Sequence, residues 1–132
     1  MKFLLDTDIC IYLLKQQPLI LARFTQHRLS DIGISVITVA ELEYGVAKSG
    51  SPKNRKTLAS WLNLLQQPPF DSGASSAYGH VRAELESRGT PIGPLDTLIA
   101  AHALALGVTL VTNNVREFKR ITGLKIENWT TP

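Results

Sequence analysis

The run Phe3-Leu4-Leu5, cut off at once by Asp6-Thr7-Asp8, restricts the fold more than any other stretch of this chain. An apolar run this short, with no alternation of polar residues, reads as a strand buried on both faces, as in the interior of a parallel sheet. Thr7 and Asp8 suit the first turn of a helix running through Ile9, Ile11, Tyr12 and Leu13, which puts Asp6 at a strand-to-helix junction. Open α/β sheets bind their ligands there, outside the carboxyl ends of the strands.

The rest of the chain continues the alternation. Gln16-Gln17-Pro18 breaks the first helix, and Leu19 to Phe24 has the apolar periodicity of a second. Asp31 to Ser35 reads as a second strand, and Val36 to Lys48 as a helix closed by Gly50 and Pro52. A further helix is expected over Lys53 to Leu65, with Leu58, Trp61, Leu62 and Leu65 forming its buried stripe. Pro68 to Asp71 allows a short edge strand, since proline cannot donate to a ladder. Ala74 to Ser87 is helical up to Gly89, and Pro94 to Leu106 is a helix with proline at its first position and Gly107 past its end. Val108 to Thr112 is a buried strand, with Lys125 to Glu127 as a last one. Strands alternating with helices give a three-layer α/β fold, a mostly parallel central sheet flanked by helices.

A chain of 132 residues forms one domain, spanning 1–132, and can bury a real core. Its lone cysteine, Cys10, excludes an internal disulfide or a cysteine-built metal site, and reads as core in a protein of the reducing cytoplasm. The apolar start is too short for a signal peptide, and no run approaches a membrane span. The net charge of +3 permits a polyanionic substrate without demanding one.

In such a sheet each helix runs antiparallel to its strands, so helix N-termini collect at the carboxyl edge. Asp6, Glu41 and Asp96 land there, and Asn113, Asn114 and Glu117 follow the Val108 strand. Converging carboxylates repel unless a cation sits among them, and oxygen donors favour Mg²⁺ or Mn²⁺. That chemistry suits hydrolysis of a phosphoester by activated water, and the basic surplus favours a nucleic acid.

Leu5-Asp6-Thr7, Thr38-Val39-Ala40-Glu41-Leu42 with Tyr44-Gly45, Ile92 to Asp96 with Ile99 to Ala103, and Val111 to Asn114 with Arg116-Glu117-Phe118 resemble the PIN-domain toxins of VapBC toxin–antitoxin modules. Four weak motifs in order make a strong signal, and Gly123-Leu124 and Asn128-Trp129 extend it along nearly the whole chain. The resemblance implies a PIN-like fold and a Mg²⁺-dependent endoribonuclease, with Mn²⁺ as a substitute. It implies a homodimer held inactive by a VapB-type antitoxin in a higher toxin–antitoxin complex. By position, Asp6, Glu41 and Asp96 match the family's catalytic and metal-binding acids, and Thr112 the hydroxyl that steadies them. Asp8 stands where many relatives have asparagine. Asn114 stands near a fourth acid of many PIN domains, with Glu117 as its substitute. Likeness to enteric-type relatives at Arg82-Ala83-Glu84-Leu85, Gly89 and Pro91-Ile92-Gly93 points to transfer RNA, the initiator in particular, and to inhibition of translation.

Several residues carry blander readings. Asp6 also suits a helix cap, and Asp96 a complement to a helix dipole, although Asp96 shares a face with Ile99, Ala100 and Ala103. Periodicity does not choose Glu41 over Glu43; only the motif does. His102 reads as a hydrogen-bonded core histidine, while His27 and His80 carry no signal. Arg116, beside the proposed site, is the candidate for phosphate contact among basic residues that are mostly solvated surface. Two other functions compete. One is a PIN-like partner-binding protein with an incomplete site, which Asn114 keeps open; the other is a haloacid-dehalogenase-like phosphatase, for which the tail after Val115 lacks the required acidic pair.

Overall fold

The computed structural model describes residues 1–132. Four strands, β1 (Phe3–Leu5), β2 (Ile32–Ile34), β3 (Thr109–Val111) and β4 (Ile126–Glu127), form one sheet in the order β2-β1-β3-β4. All pairings are parallel, with Leu5 opposite Ile34 on one side and Val111 on the other. Between β1 and β2 run α1 (Thr7–Leu14) and α2 (Pro18–Thr25); between β2 and β3 run α3 (Val36–Ser49), α4 (Pro52–Leu62), α5 (Ser72–Ser87) and α6 (Pro94–Leu106). A short α7 (Val115–Phe118) leads from β3 to β4. The chain therefore leaves β1 toward β2 and later returns to its other side as β3. In sheets of this kind ligands bind at such a reversal, which here falls at the carboxyl ends of β1 and β3.

The pleat explains why β1 is apolar throughout. Phe3 and Leu5 pack into one cluster with Ile9, Leu13, Ile34 and Leu42, whereas Leu4 enters another with Leu85, Ile99, Ala103 and Phe118. Helices α1 to α4 cover the first face and α5 and α6 the second. Cys10 lies in the first core, fully buried. Helix α6 has the expected bounds, from Pro94 to a left-handed Gly107 with φ of 68°.

The expected strand at Pro68 to Asp71 is absent. Sheet-like contact occurs earlier, at Gln66, whose N–H donates to Ile32 O (3.1 Å) and whose carbonyl accepts from Ile34 N–H (2.9 Å). A lone bridge suffices because the two prolines that follow cannot continue a ladder. The bridge also blunts the β2 edge, and it requires Gly33. A Cβ there would stand 2.2 Å from Met1 Sδ and 3.1 Å from the Gln66 carbonyl oxygen. Met1 can swing aside, but the backbone carbonyl cannot do so freely. Gly33→Ala is expected to cost about 1–3 kcal/mol by overpacking, read as a lower midpoint in urea at unchanged slope.

Other elements escaped the sequence reading. A 3₁₀ turn occupies Leu29–Asp31, and α7 follows Asn114. His27 is not without a role: its ring stacks on Trp129 at 5.0 Å and 10°, beside Phe3. Trp129 is fully buried, and its indole N–H donates to Glu127 Oε1 at 3.0 Å.

Candidate active site

Asp6 is the centre of the carboxyl edge. It follows β1, caps α1, and is only 4% exposed. Its Oδ1 accepts the Thr7 N–H and its Oδ2 the Thr112 hydroxyl, both at 2.8 Å. The capping role and a place in a site are thus compatible, since each carboxylate oxygen keeps a second lone pair. Thr112 lies just past β3 and is itself braced, accepting the Asn114 N–H at 2.9 Å.

Glu41 reaches the same edge from α3. Ser35 caps that helix, and its side chain is buried with Thr38. The Thr7 hydroxyl donates to Glu41 Oε1 at 2.7 Å and lies 3.2 Å from Thr38 Oγ1. Glu43 instead pairs with Arg55. Of the two residues that periodicity left open, Glu41 is the one that meets Thr7 beside the β1 terminus. Asp96 sits in the first turn of α6, half-buried above Ile99, Ala100 and Ala103, each fully buried. Beyond β3, Asn114 Nδ2 donates to Glu117 Oε2 at 2.8 Å, so the amide orients a carboxylate. Asp8 and Arg116 are exposed at the rim.

The acids feel one another. Burial pushes the Asp6 carboxyl up to about 6 against the lowering effect of Thr112 and Thr7, and the charges of Asp8 and Glu41 push the same way. Asp96 is also raised to about 6, by burial first and then by the charges of Asp6, Glu117, Glu41 and Asp8. Five carboxylates from four segments therefore share one electrostatic neighbourhood. No three His, Cys, Asp or Glu side chains stand close enough together to hold a metal ion as they are. The donors are oxygens, and the surplus charge fits a hard divalent cation.

The sequence reading missed Thr7, Thr38 and Ser35 as members of this edge. Thr7 was visible only as part of a motif; its hydroxyl bond to Glu41 spans 34 residues. His102 is a hydrogen-bonded core histidine, as expected, and fully buried.

A parallel sheet with acids gathered at its reversal point defines a class of protein, and the PIN domain family model matches residues 3–124. The tRNA(fMet)-specific endonuclease VapC of Salmonella typhimurium is 42% identical over 130 residues, covering 98% of each chain. Ribonuclease VapC2 of Haemophilus influenzae is 43% identical over 131 residues, with the same coverage. Among solved structures, VapBC2 from Rickettsia felis bound to a promoter DNA fragment superposes with a TM-score of 0.89 at 41% identity, covering 98% of this chain and 99% of that one. The chain belongs to the PIN-domain family, within its VapC ribonucleases. The phosphatase reading falls with that assignment.

Proposed function

We propose that this single domain is the toxin of a toxin–antitoxin module, a Mg²⁺-dependent endoribonuclease that cleaves transfer RNA, the initiator in particular, and so stops translation. The observation that carries the reading is the gathering of acids at the carboxyl edge of the sheet: Asp6 held by Thr112 and the Thr7 N–H, Glu41 held by the Thr7 hydroxyl, and Asp96 in the first turn of α6. Support for the target is the 42% identity to a relative named tRNA(fMet)-specific. Support for an antitoxin of the VapB type comes from the VapBC complexes among its structural neighbours. The proposed setting is the cytoplasm, where transfer RNA is found; no helix of the chain is long and apolar enough to cross a membrane. A homodimer within a larger complex with the antitoxin is the proposed assembly.

Asp6 and Asp96 are the residues that would hold the cation, with Glu41 completing the set. A bound Mg²⁺, or Mn²⁺ in its place, supplies a water of lowered pKa and stabilises charge developing on a phosphoryl oxygen. Thr112 and the Thr7 N–H keep the Asp6 carboxylate aimed, so little is lost in ordering it when substrate arrives. The Thr7 hydroxyl does the same for Glu41. Glu117, oriented by Asn114, and Asp8 are the residues proposed to serve a second cation or an outer water. Arg116, which is exposed, is the residue proposed to meet a phosphate.

The test is cleavage of a transfer RNA pool. Full activity is expected in Mg²⁺ or Mn²⁺ and none in EDTA, with activity returning when metal is restored. Cleavage undiminished in excess chelator would sink the metal-dependent reading.

A further inference from the structure

His102 is fully buried in α6, and the acidic edge does not include it. Its two ring nitrogens meet partners from two other parts of the chain. Nδ1 lies 2.8 Å from Ser35 Oγ, and Nε2 lies 3.1 Å from the Pro69 carbonyl oxygen. In the neutral ring the directions of these bonds follow from the partners. A carbonyl only accepts, so Nε2 carries the proton and Nδ1 of the neutral ring is bare. Ser35 must then donate its hydroxyl to Nδ1. Its oxygen is left to accept the Ile37 N–H at 3.1 Å, which is the cap that starts α3. Burial lowers the pKa of the imidazole, in keeping with a neutral ring. The Phe70 ring meets it edge-on at 5.2 Å.

We propose that His102 is a positioning residue of the nuclease: by fixing the direction of the Ser35 hydroxyl, it sets the start of α3 and hence where Thr38 and Glu41 meet Thr7. The imidazole ties together three segments that build the active edge or support it. These are α6, whose first turn carries Asp96, the β2–α3 junction, and the chain that passes the β2 edge. An aliphatic side chain of similar size would fill the space but leave the Ser35 hydroxyl and the Pro69 carbonyl unanswered. Buried groups left so are costly, and the helix start would shift to relieve them. Thr38 is three residues past the cap and buried, so a shift there reaches the Thr7–Glu41 hydrogen bond directly. This inference rests on Glu41 belonging to the metal site proposed above.

Two isosteres separate positioning from packing. In His102→Asn the amide oxygen takes the place of Nδ1 and still accepts from Ser35. In His102→Gln the amide nitrogen takes the place of Nε2 and still donates to Pro69, but nothing answers Ser35. Ser35→Ala removes the hydroxyl itself. Each variant is assayed for kcat and KM on transfer RNA and for Mn²⁺ affinity by spin-resonance titration without RNA, with melts to confirm folding. The Gln and Ala variants are expected to lose about tenfold in kcat and in Mn²⁺ affinity with KM little changed, while Asn stays within about threefold of wild type; tenfold is the lower end of what outer-shell partners of metal ligands contribute. The double variant Ser35→Ala/His102→Gln should be no worse than either alone, since both break one chain of bonds. Equal behaviour of the Asn and Gln variants, or losses that follow melting temperature alone, would overturn the proposal. Glu41→Gln serves as the control. If it cuts RNA normally, both this inference and the site fail; if it is inactive while His102→Gln is fully active, only this inference fails.

Discussion

Asp96→Asn is expected to abolish RNA cleavage without weakening the fold, and in EDTA at neutral pH to leave it as stable as wild type or more so. The carboxyl of Asp96 stands at about 6 in the folded chain, against roughly 3.9 in an unfolded one. The folded state thus binds the proton more tightly. Its stability is greatest below the unfolded value and falls as pH rises through the window from about 4 to 6. At pH 7.5 the ionised carboxylate is a cost. After discounting for solvent screening of this half-buried group, that cost is of order 1 kcal/mol. Replacing it with the amide removes the cost and forfeits about 0.3–1 kcal/mol of favourable interaction with the α6 dipole. The two nearly cancel at pH 7.5, and the variant loses ground relative to wild type as pH falls to 5, where Asp96 becomes protonated. Comparing variant with wild type cancels the opposite trend from His102, whose lowered pKa makes the folded state lose stability as acid charges the unfolded histidine.

Metal reverses the comparison. Wild type should gain about 2.7 kcal/mol at a Mg²⁺ concentration 100 times its dissociation constant, and the variant should gain less. Cleavage should fall by more than the roughly 10–100-fold expected for loss of an outer-shell partner, because the missing group would be a ligand itself. Melts in EDTA and in Mg²⁺ at two pH values, beside one cleavage assay, decide the matter. A variant that melts much lower in EDTA at pH 7.5 and still cuts RNA normally leaves Asp96 as a helix-dipole residue and nothing more.

The largest expected loss of stability lies in the core beneath α1 to α4. Trp129→Ala should cost about 3–5 kcal/mol, the range for deleting a fully buried large aromatic, or roughly 10–15 °C in melting temperature for a domain of this size. The indole is fully buried in the core under α1 to α4. It stacks on His27, meets Phe3 at 5.4 Å and 65°, and places its N–H on Glu127. Trp129→Phe should recover more than half of the loss, since it restores ring contact but not that hydrogen bond. Trp129 makes no hydrogen bond to Asp6, Glu41 or Asp96, so metal dependence of cleavage below the melting transition should be unchanged. Equal melting of the Ala variant and wild type would mean that the stack contributes no packing energy.

Legibility differed from element to element. Helix α6 could be bounded to the residue because proline at its start and glycine at its end act locally. Strand β1 was legible because burial on both faces leaves no polar residue in the run. The acids could be assigned to one edge because the alternation of strands and helices dictates direction. What escaped depends on partners distant in sequence. The Gln66 bridge, the His27–Trp129 stack and the bonds of Ser35 to His102 and Thr7 to Glu41 have no local period or composition to announce them. The proline-rich stretch after Gln66 misled for a related reason: composition showed that something flat lay nearby, but not which residue made the contact.

The bond between Thr112 and Asp6 joins positions 106 apart in the chain, across the two central strands of the sheet. For a ribonuclease this sets a clock on its own synthesis. A growing chain has made Asp6 and Glu41 long before β3 emerges, yet the inner strand β1 then lacks a neighbour on one side, and its central carboxylate lacks the hydroxyl that aims it. With Asp6 as the proposed metal ligand, the edge is complete only once the last quarter of the polypeptide has been made. A ribosome that stalls or aborts before that point releases a fragment with acids but no assembled edge, so incomplete products of translation would be poor nucleases.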